Sequence, residues 1–218
     1  MSENFKTSGL LMLITLFSVC IFWGCVSTIP MKEVGYINDV IGQNSDLKKK
    51  PTVFLDLTSI EGPSETKLKQ TYTSQSYFEL AYKLTQETNL FSGILTEEYE
   101  RDKANYIMKV EIASYSYNRT AAVARACLSG LSLGLIPSYE KFIIRVKTEV
   151  IDKKGKTVYE YVNKDSYEYR FGCLVFPTAA AGHRIDAKPY TVFNLFKDSL
   201  KNLSRSESFK TSVNDTLK

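Results

Sequence analysis

The beginning of the chain most constrains what it can become, because a long apolar run there follows a short polar start that carries Lys6. The run extends from Leu10 to Trp23 and closes with the pair Gly24-Cys25. A positively charged lead, about a dozen apolar residues and a small residue before the cleavage point are typical of a secretory signal peptide. We therefore predict that residues 1–24 form a signal peptide and that the rest of the chain lies outside the cytoplasm.

The pair Gly24-Cys25 resembles the lipobox of bacterial lipoproteins, whose processed cysteine becomes the first residue and carries acyl chains such as palmitate. Phe22 and Trp23 depart from that pattern, because Leu and a small residue usually occupy these two positions. The resemblance implies lipidation at Cys25. It also implies anchoring on the periplasmic side of the outer membrane, since Val26-Ser27 lack the Asp that often retains lipoproteins at the inner membrane.

Two alternatives to a lipid on Cys25 stay open. Cys20 also ends part of the apolar run, although the β-branched Val19 before it suits a cleavage site less well than Gly24 does. The stretch from Gly9 to Ile29 is long enough to cross a bilayer, so an uncleaved N-terminal transmembrane anchor is the other possibility.

Composition excludes some functions and bounds the domain count. A hydrophobic content of 44% and a charged content of 24% are ordinary for a globular protein. The net charge of +4 is spread thinly, so no basic stripe points to nucleic acid. The length suits a single domain, which we place at 52–204. The lipidated Cys25 that the resemblance implies would begin a tether over 25–51, and a flexible polar tail would follow over 205–218.

No residue pattern predicts catalysis, a metal or a cofactor. The single histidine, His183, has no evident acidic partner, and the body of the chain holds only Cys127 and Cys173. An exported cysteine pair can form a disulfide, whereas a zinc site needs four ligands or three plus water. Ser132 lies in a G-x-S-x-G pattern, but in an Ala-rich apolar segment rather than a strand-turn-helix. We predict that the protein is not an enzyme.

Apolar periodicity predicts strands and helices in the domain. The predicted strands are 52–57, 93–96, 106–117, 142–151 and 157–169, and the predicted helices are 76–89 and one that Pro189 opens. A hairpin turn at Gly155 joins the last two strands. This pattern predicts an α+β fold with an antiparallel or mixed sheet of about four to five strands and two helices packed on one face.

The order of elements resembles the small α+β domains of outer-membrane assembly lipoproteins, such as the lipopolysaccharide-assembly lipoprotein and the N-terminal domain of the Tol-Pal periplasmic protein. The resemblance rests on Gly24-Cys25, on the strand-helix pair 52–91 and on 103–112, where Asn105 stands in place of the usual Asp. It implies architecture more than activity.

Two apolar insertions, 121–136 and 171–182, do not fit a plain sandwich. If the three long strands pair in antiparallel order, both insertions leave from one end of the sheet. They either pack together as an annex to the core or form an apolar surface that meets a bilayer or an envelope protein. The candidate surface residues are Leu128, Leu131, Leu133, Leu135, Ile136, Leu174, Val175 and Phe176.

These features predict a membrane-anchored lipoprotein that acts as a non-enzymatic binding or assembly module at the cell envelope. The alternative is a periplasmic carrier that holds a lipid or another apolar ligand between the sheet and the insertions.

Overall fold

The structure is a computed structural model in which 26–30, 50–68, 70–72, 74–132, 134–171 and 187–216 are described. The chain divides into two compact units. The first comprises Met1–Ile29, Asn118–Lys141 and Glu168–Ile185, and the second comprises Pro30–Tyr117, Phe142–Tyr167 and Asp186–Lys218.

The described residues form a seven-stranded mixed sheet and four α-helices. The strands are β1 (Val26–Pro30), β2 (Thr52–Gly62), β3 (Gln70–Tyr72), β4 (Gly93–Leu95), β5 (Tyr106–Ser116), β6 (Ser138–Asp152) and β7 (Thr157–Phe171). The helices are α1 (Gln75–Glu87), α2 (Arg119–Leu131), α3 (Ala187–Arg205) and α4 (Glu207–Thr216). The α+β class and the mixed sheet are confirmed, and the structure adds the short strands β1 and β3 and the helices α2 and α4 to the predicted elements.

The sheet order is β1-β7-β6-β5-β2-β3, with β4 also paired to β2. Strand β2 runs parallel to β4 and β5, and β5 runs antiparallel to β6 with Ser116 opposite Phe142. This confirms the antiparallel pairing assumed for the predicted strands 106–117 and 142–151. Residues 118–141 and 168–185 belong to the same unit, and most of the second insertion, 171–182, lies outside the described residues.

Alternation along the strands separates a buried face from a charged face in the second unit. Met108 and Val110 of β5 and Val146 of β6 are fully buried, whereas Lys109 and Arg145 lie on the opposite face. Helices α1, α3 and α4 contribute side chains to the same hydrophobic core. The core therefore lies between these three helices and one face of the sheet.

Polar tips of β7 side chains fix helix α3. Tyr159 donates its hydroxyl to the carbonyl oxygen of Ser199 at 2.9 Å, and Tyr161 donates to Asp198 at 3.0 Å. Burial raises the pKa of Tyr159, so the phenol stays a donor. Tyr159 and Tyr161 thus join the sheet to helix α3.

The turn between β6 and β7 forms where it is predicted. Asp152 accepts backbone hydrogen bonds from Lys154 at 2.8 Å and from Lys156 at 2.9 Å through its Oδ1. Gly155 has a φ of 77°, which a residue with a side chain rarely adopts. The turn sets the register of the two strands that lead toward the insertions.

Helix α1 begins and ends slightly earlier than predicted. Its N-cap is Ser74, two residues before the predicted start at Ser76. Gln75 donates to Glu79 at 2.9 Å along the helix. The helix ends at Glu87, and Asn89, with a φ of 55°, turns the chain out of it.

The predicted flexible tail over 205–218 is wrong for the residues that form α4. Phe209 and Val213 stand four positions apart in an otherwise polar sequence, and both are buried in the core. Two large side chains at i and i+4 share one helical face, which is enough to hold a short helix against the sheet.

The predicted tether over 25–51 begins with a strand, because Val26–Pro30 forms β1 at the edge of the sheet. Residues 31–49 lie outside the described residues, as do residues 1–25 with the predicted signal peptide. In the described part of the chain, no helix combines the length and the apolar character needed to cross a membrane. The alternative anchor over Gly9 to Ile29 falls mostly outside that part.

Candidate interaction surface beside the predicted lipid anchor

Helix α2 begins directly after β5 because Asn118 caps it. The side-chain oxygen of Asn118 accepts the backbone N–H of Ala121 at 3.0 Å. The residues that follow are rich in alanine, the strongest helix former. The first apolar insertion is therefore a helix of 13 residues followed by a loop.

Ser132 closes the C-terminal end of α2. Its hydroxyl donates to the carbonyl oxygen of Ser129 at 3.0 Å and accepts the backbone N–H of Ile136 at 2.9 Å. Gly134 donates its N–H to the same Ser129 carbonyl at 2.7 Å. These bonds satisfy backbone groups that a helix end ordinarily leaves to water. The hydroxyl of the G-x-S-x-G pattern thus caps a helix, and His183 lies outside the described residues.

The polarity of α2 is reversed relative to an ordinary surface helix. Its buried residues are the small Ala122 and Ser129, whereas Val123, Leu128 and Leu131 are exposed. Leu131 retains 84% of its accessible surface. A surface helix usually turns its apolar stripe inward, so this outward face is available for contact with another molecule.

Arg125 links helix α2 to Tyr139 at the start of β6. Its guanidinium stacks on the ring of Tyr139, and its Nε donates to the Tyr139 carbonyl oxygen. The two residues belong to the same unit. The guanidinium of Arg125 therefore lies on the flank of α2 that faces Tyr139.

Four of the eight predicted surface residues are described, and all four are exposed: Leu128, Leu131, Leu135 and Ile136. These four are called the apolar edge below. Leu133, Leu174, Val175 and Phe176 lie outside the described residues. The apolar edge and residues Val26–Ile29 of β1 belong to the same unit.

The cysteines of the predicted sites are only partly described. Cys127 lies on the exposed face of α2 as a free cysteine, and Cys173 lies outside the described residues. Their disulfide therefore stays a prediction. Cys25, the predicted lipidation site, directly precedes the first described strand. Among the described residues, no cluster of three or more His, Cys, Asp or Glu side chains is placed to hold a metal ion.

A charged network on the open face of the sheet gives no signal in the sequence. Glu65 accepts from Lys164 at 2.8 Å and pairs with Arg145 at 3.4 Å, and Arg145 also bonds Glu111 at 2.8 Å. The hydrogen bond from Lys164 holds the pKa of Glu65 below its usual value, and Glu65 raises the pKa of Lys164. The partners come from β5, β6, β7 and the turn after β2, so only the folded chain brings them together.

Neither protein families nor curated proteins give a match to this chain. Among solved structures, the chain is similar to a PelC dodecamer from Paraburkholderia phytofirmans, at 11% identity over 83% of this chain and 97% of that one, with a TM-score of 0.32. A variant of that PelC gives 13% identity, 83% and 98% coverage and a TM-score of 0.36. A minor lipoprotein from Acinetobacter baumannii gives 10% identity, 77% and 94% coverage and a TM-score of 0.30. TM-scores this low show neither a shared family nor a shared function.

Proposed function

We propose that this chain is a bacterial envelope lipoprotein, anchored by acyl chains on Cys25 to the periplasmic side of the outer membrane. It acts without catalysis, as a binding or assembly module that uses the apolar edge. The sequence supports the anchor through the apolar run that ends at Gly24-Cys25.

The observation that carries the proposal is the exposure of the apolar edge in the unit that also contains β1. Leu131, Leu135 and Ile136 each leave more than half of their surface open. Covering a large aliphatic side chain gains about 1.5–3 kcal/mol, so contact with a membrane or a partner is favourable. An exposed apolar surface on a protein that is anchored at Cys25 suits attachment to a membrane or assembly with a partner.

The anchor is tested by the mass of the protein extracted from membranes. We expect a chain that starts at Cys25 and carries acyl mass, and we expect Cys25→Ser to abolish that mass. The matched control is Cys20→Ser, which should leave the acylated product unchanged because the predicted cleavage removes it. An intact Met1 terminus, or an acylated product lost in Cys20→Ser, contradicts the proposal.

The protein extracted from membranes also distinguishes the proposed binding or assembly module from the alternative, a carrier of an apolar ligand. A carrier retains an apolar ligand without a covalent bond, so native mass spectrometry of the protein in mild detergent would record a lipid beyond the acyl chains on Cys25. We expect the covalently acylated mass alone. A stoichiometric additional lipid would favour the carrier.

A further inference from the structure

We infer that the apolar edge is covered by the lipid bilayer, with α2 lying along the membrane surface beside the acyl anchor. This inference rests on the proposed anchor at Cys25 and deepens it, because it names the occupant of the exposed surface. Its basis is that α2 belongs to the unit that contains the residues after Cys25, together with the bonding at the C-terminal end of α2 and the charge around it.

The first argument is continuity with the predicted anchor. Strand β1 begins at Val26, the residue after Cys25, and residues Val26–Ile29 belong to the same unit as α2. One residue spans at most about 3.6 Å, so no flexible spacer separates an acylated Cys25 from the sheet. The unit that exposes the apolar edge is thus the unit held at the bilayer.

The second argument is the bonding of the backbone at the end of α2. A helix end in contact with acyl chains cannot leave N–H and C=O groups without partners. Ser132 donates its backbone N–H to Leu128 at 3.0 Å, and its hydroxyl serves Ser129 and Ile136. Gly134 and Leu135 donate their N–H groups within the same turn, at 2.7 and 3.1 Å. These bonds give partners to backbone groups around Leu131, Leu135 and Ile136 that a water-poor environment could not satisfy.

The third argument is charge. From Arg119 to Tyr139 the sequence contains no carboxylate and two arginines, Arg119 and Arg125. Arg119 is exposed at the start of the helix, and Arg125 is held on its flank by Tyr139. Cations beside an exposed apolar face suit anionic headgroups, which attract nearby Lys and Arg. A protein surface selected for solubility would place acidic residues here as readily as basic ones.

Length decides how the helix meets the membrane. Helix α2 has 13 residues, fewer than the ~20 that a spanning helix needs. A short helix with one apolar face lies in the interface plane, with that face in the boundary between headgroups and acyl chains. Val123, Leu128 and Leu131 would then point into the bilayer while Ala122 and Ser129 remain on the protein.

The test uses a tryptophan as a depth probe in the full chain. Trp23 is the only tryptophan, so a Trp23→Phe background removes the native signal whether or not the leader is cleaved. Leu131→Trp places the probe on the apolar edge, and Leu135→Trp is a second probe in case the first fails to fold. The control is Tyr99→Trp, at a side chain in the other unit that is 76% exposed. Each protein is reconstituted into vesicles of phosphatidylethanolamine and phosphatidylglycerol, with or without brominated acyl chains.

We expect blue-shifted emission from Leu131→Trp and about twofold or stronger quenching by brominated lipid, because the interfacial depth lies within reach of the bromines. Tyr99→Trp should emit as in water and remain unquenched. Acylated protein whose Leu131→Trp and Leu135→Trp probes behave like the control overturns the inference and leaves the anchor standing.

Two other outcomes distinguish the occupants. Blue-shifted emission without bromine quenching means that protein covers the edge, either a second copy or a segment of this chain, and overturns the inference. Bromine quenching in a chain that carries no acyl mass supports the lipid contact and overturns the anchor at Cys25. Failure of the inference and failure of the proposed function are therefore separately visible.

Discussion

The guanidinium carbon of Arg125 lies 4.1 Å from the centroid of the Tyr139 ring, and its Nε lies 3.1 Å from the carbonyl oxygen of the same residue. One side chain thus binds the face and the backbone of a residue at the start of β6. Because Arg125 occupies this flank of α2, the helix turns Val123, Cys127 and Leu131 away from Tyr139 and into the open. The contact sets the rotation of the helix, and hence the exposure of the apolar edge.

Replacement of Arg125 should loosen α2. A cation–π contact at an exposed site is worth about 0.5–1 kcal/mol, so Arg125→Ala should speed amide exchange in residues 119–131 by about two- to fivefold. Arg125→Lys should give an intermediate rate, because lysine keeps the charge without the planar stack. Hydrogen-exchange mass spectrometry measures both.

Arg119→Ala provides the control, since Arg119 is an exposed residue on the same helix. It should leave the exchange of α2 close to that of the original chain. Equal acceleration by Arg119→Ala and Arg125→Ala would show that the Tyr139 contact does not hold α2, because alanine favours the helix at either position.

Asn105 joins the starts of β2 and β5. Its Oδ1 accepts from the N–H and the hydroxyl of Thr52, both at 2.9 Å, and its own N–H bonds the Thr52 hydroxyl at 3.1 Å. Asn105→Ala should lower the free energy of unfolding by about 1–3 kcal/mol, because partly buried donors lose their acceptor. Urea denaturation gives the value.

Asn105→Asp is the matched variant, because a carboxylate accepts the same two bonds. It should unfold within about 1 kcal/mol of the original chain at neutral pH. A loss as large as that of Asn105→Ala would mean that the side-chain amide nitrogen, and not Oδ1, makes the important contact. The sequence alone could identify only that Asn105 stands where the resembling domains carry Asp.

Strands in which apolar and polar residues alternate could be predicted, because the pattern lies within the strand itself. From Met108 to Ile112 in β5 and from Ile144 to Val150 in β6, buried residues alternate with more exposed polar ones, so the sequence itself reports which face meets the core. Gly155 likewise marks a turn by its own conformational freedom. The antiparallel pairing of β5 with β6 was the assumption from which the insertions were placed, and it holds although helix α2 lies in the connection between the two strands.

The rest depends on partners that are distant in sequence. Strands β1 and β3 carry no alternating pattern long enough to read, and pairing with neighbouring strands defines them. Glu65 gains its role from Lys164 and Arg145, which lie far along the chain. In the apolar edge the sequence indicated which residues are apolar, but exposure is set by the Arg125–Tyr139 contact and by the hydrogen bonds of Ser132.

Helix α4 shows how little apolar sequence a core element needs. Phe209 is completely buried, with its ring edge-on to Phe91 at 5.9 Å and to Tyr106 at 5.7 Å between centroids. Phe209→Ala should lower the free energy of unfolding by about 3–5 kcal/mol, because it removes a large side chain and leaves a cavity. Thermal and urea denaturation give the change.

Glu207→Ala on the same helix is the control, since its side chain is 84% exposed and pairs along the helix with Lys210. It should change stability by less than about 0.5 kcal/mol. If Phe209→Ala were equally mild, α4 would be the flexible tail that its polar sequence suggests.

The network at Glu65 predicts how stability depends on pH. Lys164 lowers the pKa of Glu65 below 4.5, so the folded chain binds this proton more weakly than the unfolded chain does. The carboxylate therefore stabilises the fold fully above pH 4.5, and this contribution is lost as the pH falls through the lowered pKa of Glu65. Denaturation of the original chain and of Glu65→Gln, measured at acid and at neutral pH, should show a gap in midpoint that closes on acidification.

The alkaline side provides the complementary test. Glu65 raises the pKa of Lys164 above 10.5, so the contribution of that ammonium is present below pH 10.5 and is lost as the pH rises through its raised value.

A Lys164→Gln background tests the same ion pair. In that background, Glu65→Gln should change the denaturation midpoint at neutral pH by less than it does in the original chain. The main cause of the lowered pKa of Glu65 is then gone, and Arg145 remains at 3.4 Å. Both Glu65 and Lys164 are about half exposed, so salt should narrow the gap further by screening. A gap of equal size at every pH would mean that Glu65 acts through packing and not through its charge.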